Sequence, residues 1–144
     1  MSRMLFHEEW ALVATIDPID ANNADSSTDI IDMARWEEVV FVVQTGVMAT
    51  SATLDFKVTE DSDSAMGSAT DMTGKSIVQL TDVDDAKQVM LHVKAEELSA
   101  GERYIRGVMA NSAFSMLAAV VAFGRGKNQP ASDLDLSSVD EIVI

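Results

Sequence analysis

The strongest constraint on this chain is a pair of alternating runs within residues 36–58, WEEVVFVVQTGVMATSATLDFKV. Val39, Phe41 and Val43 fall on one parity. Leu54, Phe56 and Val58 do the same, with Thr53, Asp55, Lys57 and Thr59 between them. Successive side chains of a strand point to opposite faces, so β-branched and aromatic residues at a period of two predict strands. Residues 44–51 hold Gly46 and small polar side chains, the composition of a hairpin connection. The two runs are therefore expected to pair side by side as a central antiparallel hairpin.

The rest of the chain extends the same theme. Residues 11–16 (ALVATI) predict a first strand, stopped at Asp17-Pro18 because proline lacks the donor that a sheet ladder needs. A polar loop is expected over 19–28, a short strand over 29–33, and a tight link at Ala34-Arg35. Residues 59–75 are rich in Ser, Thr, Asp and Gly and read as a loop with at most a brief extended piece. A strand is expected over 76–81, a turn over 82–85, and a strand over 87–94 with Val89, Leu91 and Val93 on one side. One helical turn over 95–100 ends at Gly101 and leads to a strand over 102–109. Residues 114–123 (FSMLAAVVAF) suit a buried helix or a buried strand, which periodicity alone does not separate. The neighbouring strands favour a last, doubly buried strand. About seven short strands with regular turn signals and no long helix predict an all-β fold, an antiparallel β-sandwich of jelly-roll-like type.

A chain of 144 residues is one domain by size. The expected division is an N-terminal arm over 1–10, a sandwich over 11–124 and a polar tail over 125–144. The tail contains Pro130 and ends in Ile142, Val143 and Ile144. It is either a frayed segment or an arm whose apolar tip docks on a neighbouring subunit. Leu5, Phe6 and Trp10 in the lead and Ile142, Val143 and Ile144 in the tail are the candidate subunit-contact residues.

Charge and composition narrow the function. Ten basic against 24 acidic residues give a net charge of −14, which repels phosphate backbones, so nucleic acid is not an expected partner. The absence of cysteine excludes a disulfide framework and a thiol nucleophile. His7, Glu8 and Glu9 interrupt any signal-peptide core, and the longest apolar run is too short for a bilayer, which needs about 20 helical residues. A protein made in the cytoplasm, with no membrane partner, is expected.

No constellation of catalytic type is evident. The two histidines, His7 and His92, have no nucleophile and carboxylate at a recognisable spacing and read as surface residues. Asp61-Ser62-Asp63 and Asp82-Val83-Asp84-Asp85 are oxygen-rich, but neither fits the EF-hand pattern, and they read as solvated acidic turns. Trp10, Trp36 and Tyr104 are the only large polar aromatics available for a sugar-stacking platform. A non-enzymatic protein without a cofactor or metal is expected. A carbohydrate-binding sandwich is the rival from another class, and a hydrolase using paired carboxylates is a further one.

Three segments carry a resemblance. They are residues 14–46 (ATIDPIDANNADSSTDIIDMARWEEVVFVVQTG), 52–63 (ATLDFKVTEDSD) and 83–109 (VDDAKQVMLHVKAEELSAGERYIRGVM). In this order they resemble small virion structural proteins of tailed bacteriophages, of the head decoration or capsid cement type. The resemblance covers roughly residues 11–124 and is one of pattern; the tail from Arg125 departs from it. It implies a sandwich on the outer capsid surface that bridges and stabilises capsomers. The implied partners are the major capsid protein and copies of the chain itself, as a trimer or dimer. A head–tail connector or tail subunit is the nearest alternative.

Overall fold

The computed structural model describes residues 4–22, 25–128 and 130–144. A single helical turn, α1 (Phe6–Glu9), leads into β1 (Trp10–Ala21). Then follow β2 (Ser26–Ser27), β3 (Ile31–Asp32), β4 (Trp36–Met48), β5 (Thr53–Asp61), β6 (Thr70–Ser76), β7 (Leu80–Thr81), β8 (Gln88–Lys94), β9 (Tyr104–Asn111) and β10 (Met116–Gly126). Short 3-10 turns lie at Ala95–Glu97 and Ala131–Leu134.

The strands form two antiparallel sheets. One has the order β1-β10-β4-β8. The other has the order β2-β9-β5-β6, with β3 also on β9 and β7 also on β5. If β2 and β3 count as one interrupted strand, and β6 and β7 as another, the eight strands have the order 1-8-3-6 over 2-7-4-5. That is the jelly-roll arrangement, in which the first and last strands are neighbours. The expected all-β sandwich is therefore the fold of this protein.

The central pair is real as strands and wrong as a hairpin. β4 pairs with β10 and β8, whereas β5 pairs with β9, β6 and β7, so the two lie in different sheets. Residues 49–52 form the arch between them, with Ala52 N donating to Ala49 O at 2.9 Å and Ser51 at a positive φ of 68°. The two parity rows face each other across the core. Val39, Phe41, Val43, Leu54, Phe56 and Val58 are all fully buried, and the Phe41 and Phe56 rings meet with centroids 5.6 Å apart. Alternation reports which face a residue takes, not which strand lies alongside, so a hairpin and an arch leave the same pattern.

Several strand limits also differ from expectation, among them the loop expected over 19–28, which holds the end of β1 and all of β2. β1 does not stop at Asp17-Pro18; it runs to Ala21 with a shift of register between Ile16 and Ile19. It is an edge strand, and a bulge on an edge is where a proline costs no ladder bond. The polar stretch after Val58 is strand to Asp61 and again over Thr70–Ser76. Exposed β6 needs few apolar residues, which is why composition reads it as loop. The strand expected over 76–81 reduces to Leu80–Thr81. β10 is a strand, but only its core-facing side is buried: Met116, Ala118, Val120 and Ala122 alternate with half-buried or exposed Leu117, Ala119, Val121 and Phe123.

Candidate interaction surface

The outward side of β10 belongs to the four-stranded sheet, and both ends of the chain fold onto it. α1 carries Phe6 over this face. Its ring stacks on Trp10 at 6.2 Å and meets Phe123 edge-on at 5.4 Å. An aromatic surface of this size gains from burial wherever it finds a partner, and edge-on geometry suits the quadrupoles of the two rings.

The tail closes the free edge of β1. Leu12 N donates to Asp135 Oδ1 at 2.6 Å, and Leu136 N donates back to Leu12 O at 2.9 Å. Ala131 is fully buried against the core. Thr15 N, further along the same edge, donates to Asp29 Oδ2 at 3.0 Å. Edge strands left open invite pairing with other chains, and these contacts block it.

Between the two ends lies an open groove of about 350 Å³ lined by Phe6, His7, Trp10, Leu12, Val121, Phe123, Asp135, Val139, Glu141 and Ile142. The structure thus brings together three of the six candidate contact residues, Phe6, Trp10 and Ile142. Leu5 stands beside them, half exposed. Val143 and Ile144 do not line it and are 82% and 90% exposed.

The other candidate groups have structural partners. His92 Nε2 lies 2.6 Å from Glu38 Oε2, and Arg125 reaches the other Glu38 oxygen at 3.5 Å. His7 lines the groove. The acidic turns act as backbone clamps. Asp61 accepts from Asp63 N at 2.9 Å and Ser68 N at 2.7 Å, and these bonds hold its carboxyl below the usual range. Asp82 accepts from Ser51 N, and Asp85 from Met48 N, so the 82–85 turn staples the β4–β5 arch. Among the described residues no cluster of three or more His, Asp or Glu side chains is arranged to hold a metal ion.

Nor do the aromatics form one platform. Trp36 is buried beneath Gly124, Trp10 lies with Phe6, and Tyr104 sits on the other sheet beside Arg103. Sequence reasoning named the termini as contacts but missed the outward residues Val40, Val42, Val121 and Met90. The signal for them was present. Residues 39–43 (VVFVV) are apolar on both parities, which a strand with one solvated face does not need.

No protein-family model and no curated protein sequence matches this chain. Among solved structures it is similar to a chain in the structure of infectious bursal disease virus Gx strain. The identity is 12% over 86% of this chain and 29% of that chain, with a TM-score of 0.34. The present chain thus spans less than a third of the virus chain, and a likeness this distant carries no argument. The sandwich rests on its own strand order.

Proposed function

We propose that this protein is a non-enzymatic structural component of a tailed-bacteriophage virion, a head decoration protein that binds the outer capsid surface and bridges capsomers. The observation that carries the reading is the convergence of both termini on one face, where Phe6, Trp10 and Ile142 share a groove and the next residues, Val143 and Ile144, are exposed. An apolar tip held in this way is costly in water and gains when a partner covers it. Two tethers rising from one face act together, because the first contact raises the effective concentration of the second. The strand order gives support by analogy alone, since jelly rolls recur among capsid and lectin domains. The net charge of −14 suits a surface facing solvent rather than packaged DNA.

The test is co-sedimentation of the purified protein with heads of the phage that carries its gene. Stoichiometric binding that raises the temperature of head disruption supports a cement role. Recovery in the neck or tail fraction instead replaces decoration by a connector or tail role. Absence from every virion fraction overturns the reading.

A further inference from the structure

The two outer faces of the sandwich differ in chemistry. The β9–β5 face is polar, with Asp55, Lys57 and Arg106 on it and the Arg103–Asp32 pair at its margin, bonded twice at 2.8 Å. The outward rows of the four-stranded sheet read Leu12–Phe123–Val40–His92, then Thr15–Val121–Val42–Met90, then Ala119–Gln44–Gln88. Met90 is 72% exposed. In the row beyond, Trp10–Arg125–Glu38–Lys94, the one carboxylate is Glu38, matched by His92 and Arg125.

That contrast selects the kind of contact this face can make. Two molecules each of net charge −14 repel, and this face adds the exposed carboxylate of Asp20 beside Leu117, so a contact between copies has to set the acids of one over basic groups of the other. The face is also asymmetric. Along β1 stands the ridge made by α1 and the tail, with Phe6 and Ile142 exposed on it and Glu9, Asp140 and Glu141 giving it negative charge. Along β8 the surface is flat, with Met90, His92 and Lys94 pointing outward.

We infer that two copies of this chain pack face to face through the four-stranded sheet, about a two-fold axis running along the strands. Such an axis sets the ridge of each copy over β8 of the other. Phe6 and Ile142 then meet Met90, and Glu141 lies near Lys94. An in-plane axis across the strands would instead put ridge on ridge and acid on acid. At about 3.3 Å per residue and about 4.8 Å between strands, four strands over nine residues offer roughly 600 Å². With the ridge added, this approaches the ~800 Å² per partner of a standard interface. The contact is isologous, since each copy presents the same ridge and the same flat strip. The inference goes beyond the reading above: a second copy covers Phe6 and Ile142, and Val143 and Ile144 are left as the tips for the capsid. Its test uses no capsid, so a failed capsid assay and a failed dimer are distinguishable.

Sedimentation velocity of the full chain across the micromolar range tests it. The wild type is expected to reach a dimer. Met90→Glu should raise the dissociation constant by at least about tenfold, as an unpaired charge buried beneath the partner copy's apolar ridge does. Val78→Glu, at a residue 89% exposed in the link between β6 and β7, should leave it unchanged. Lys94→Glu should weaken the dimer, and adding Glu141→Lys should restore it. A monomer at every concentration, a trimer, a dimer indifferent to Met90→Glu, or a charge swap that restores nothing would overturn the inference.

Discussion

The ring of Phe56 fills the space that a side chain on Gly107 would need. A Cβ on Gly107 would lie 2.3 Å from Phe56 Cζ and 2.8 Å from Cε2. Gly107 is also held on its other side, donating to Thr28 Oγ1 and accepting from Thr28 N, both at 2.9 Å. Phe56 in turn meets Phe41 across the core, so this glycine sets the spacing of the two sheets at their most aromatic point. Gly107→Ala is therefore expected to destabilise the fold by about 1–3 kcal/mol, the usual cost of overpacking a filled core. Urea unfolding followed by tryptophan fluorescence measures it. A change below about 0.5 kcal/mol would mean that the Phe56 ring moves aside freely.

Asp135 has a different role, at the edge rather than in the core. It bonds Leu12 N, and its neighbour Leu136 bonds Leu12 O, so the tail stands in for a missing strand beside β1. Asp135→Ala is expected to cost about 1 kcal/mol, the worth of one partly solvated hydrogen bond. The sharper readout is hydrogen exchange. The Leu12 amide should lose protection while amides of central β4 keep theirs. Equal loss in both strands would show that the tail contributes only to global stability.

What the sequence made legible follows from the range of the signals it carries. Alternation is local, so the inward residues Val39, Phe41, Val43, Leu54, Phe56 and Val58 could be read without knowing the partner strands. Partnership is non-local. The pairing of β1 with β10, from Trp10 with Arg125 to Ala21 with Met116, leaves no mark on either strand by itself. The same limit hid the arch at residues 49–52 behind the appearance of a hairpin. At the surface, the apolar tips at Phe6 and Ile142 were legible as candidates because exposed apolar residues call for cover. That they share one groove with Trp10 depends on the last strand lying beside the first, which no single segment records.

Acid should weaken the fold through three carboxyls. Arg103 beside Asp32 holds that carboxyl below its ordinary value, and Lys75 does the same for Glu97. The Asp63 and Ser68 amides lower Asp61. Each group titrates lower in the fold than in the unfolded chain, so the fold favours the ionised form. The stabilisation is complete above the unfolded values of about 4 and is lost as pH falls through the folded ones. The urea midpoint is expected to be steady from about pH 7 to 5 and to drop below about pH 4. In Asp61→Asn the drop should be shallower, because one of the three titrations is gone. An identical acid slope in the variant would remove Asp61 from this account.

The last prediction separates the tip of the tail from its base. Residues 140–144 include Ile142, Val143 and Ile144, at 45%, 82% and 90% exposure, so the sandwich itself gains little from them. Removing 140–144 is expected to leave the melting temperature nearly unchanged while capsid co-sedimentation falls by at least about tenfold, the loss of one tether of two. Removing 125–144 is a harsher change. It takes Arg125 and Gly126 out of β10, Ala131 out of the core and both partners of Leu12 away from the edge of β1. That deletion should lower the melting temperature by several degrees. If the short deletion also melts early, the tip is part of the sandwich. If it neither melts early nor loses capsid binding, the tail is not the arm that holds the protein to the shell.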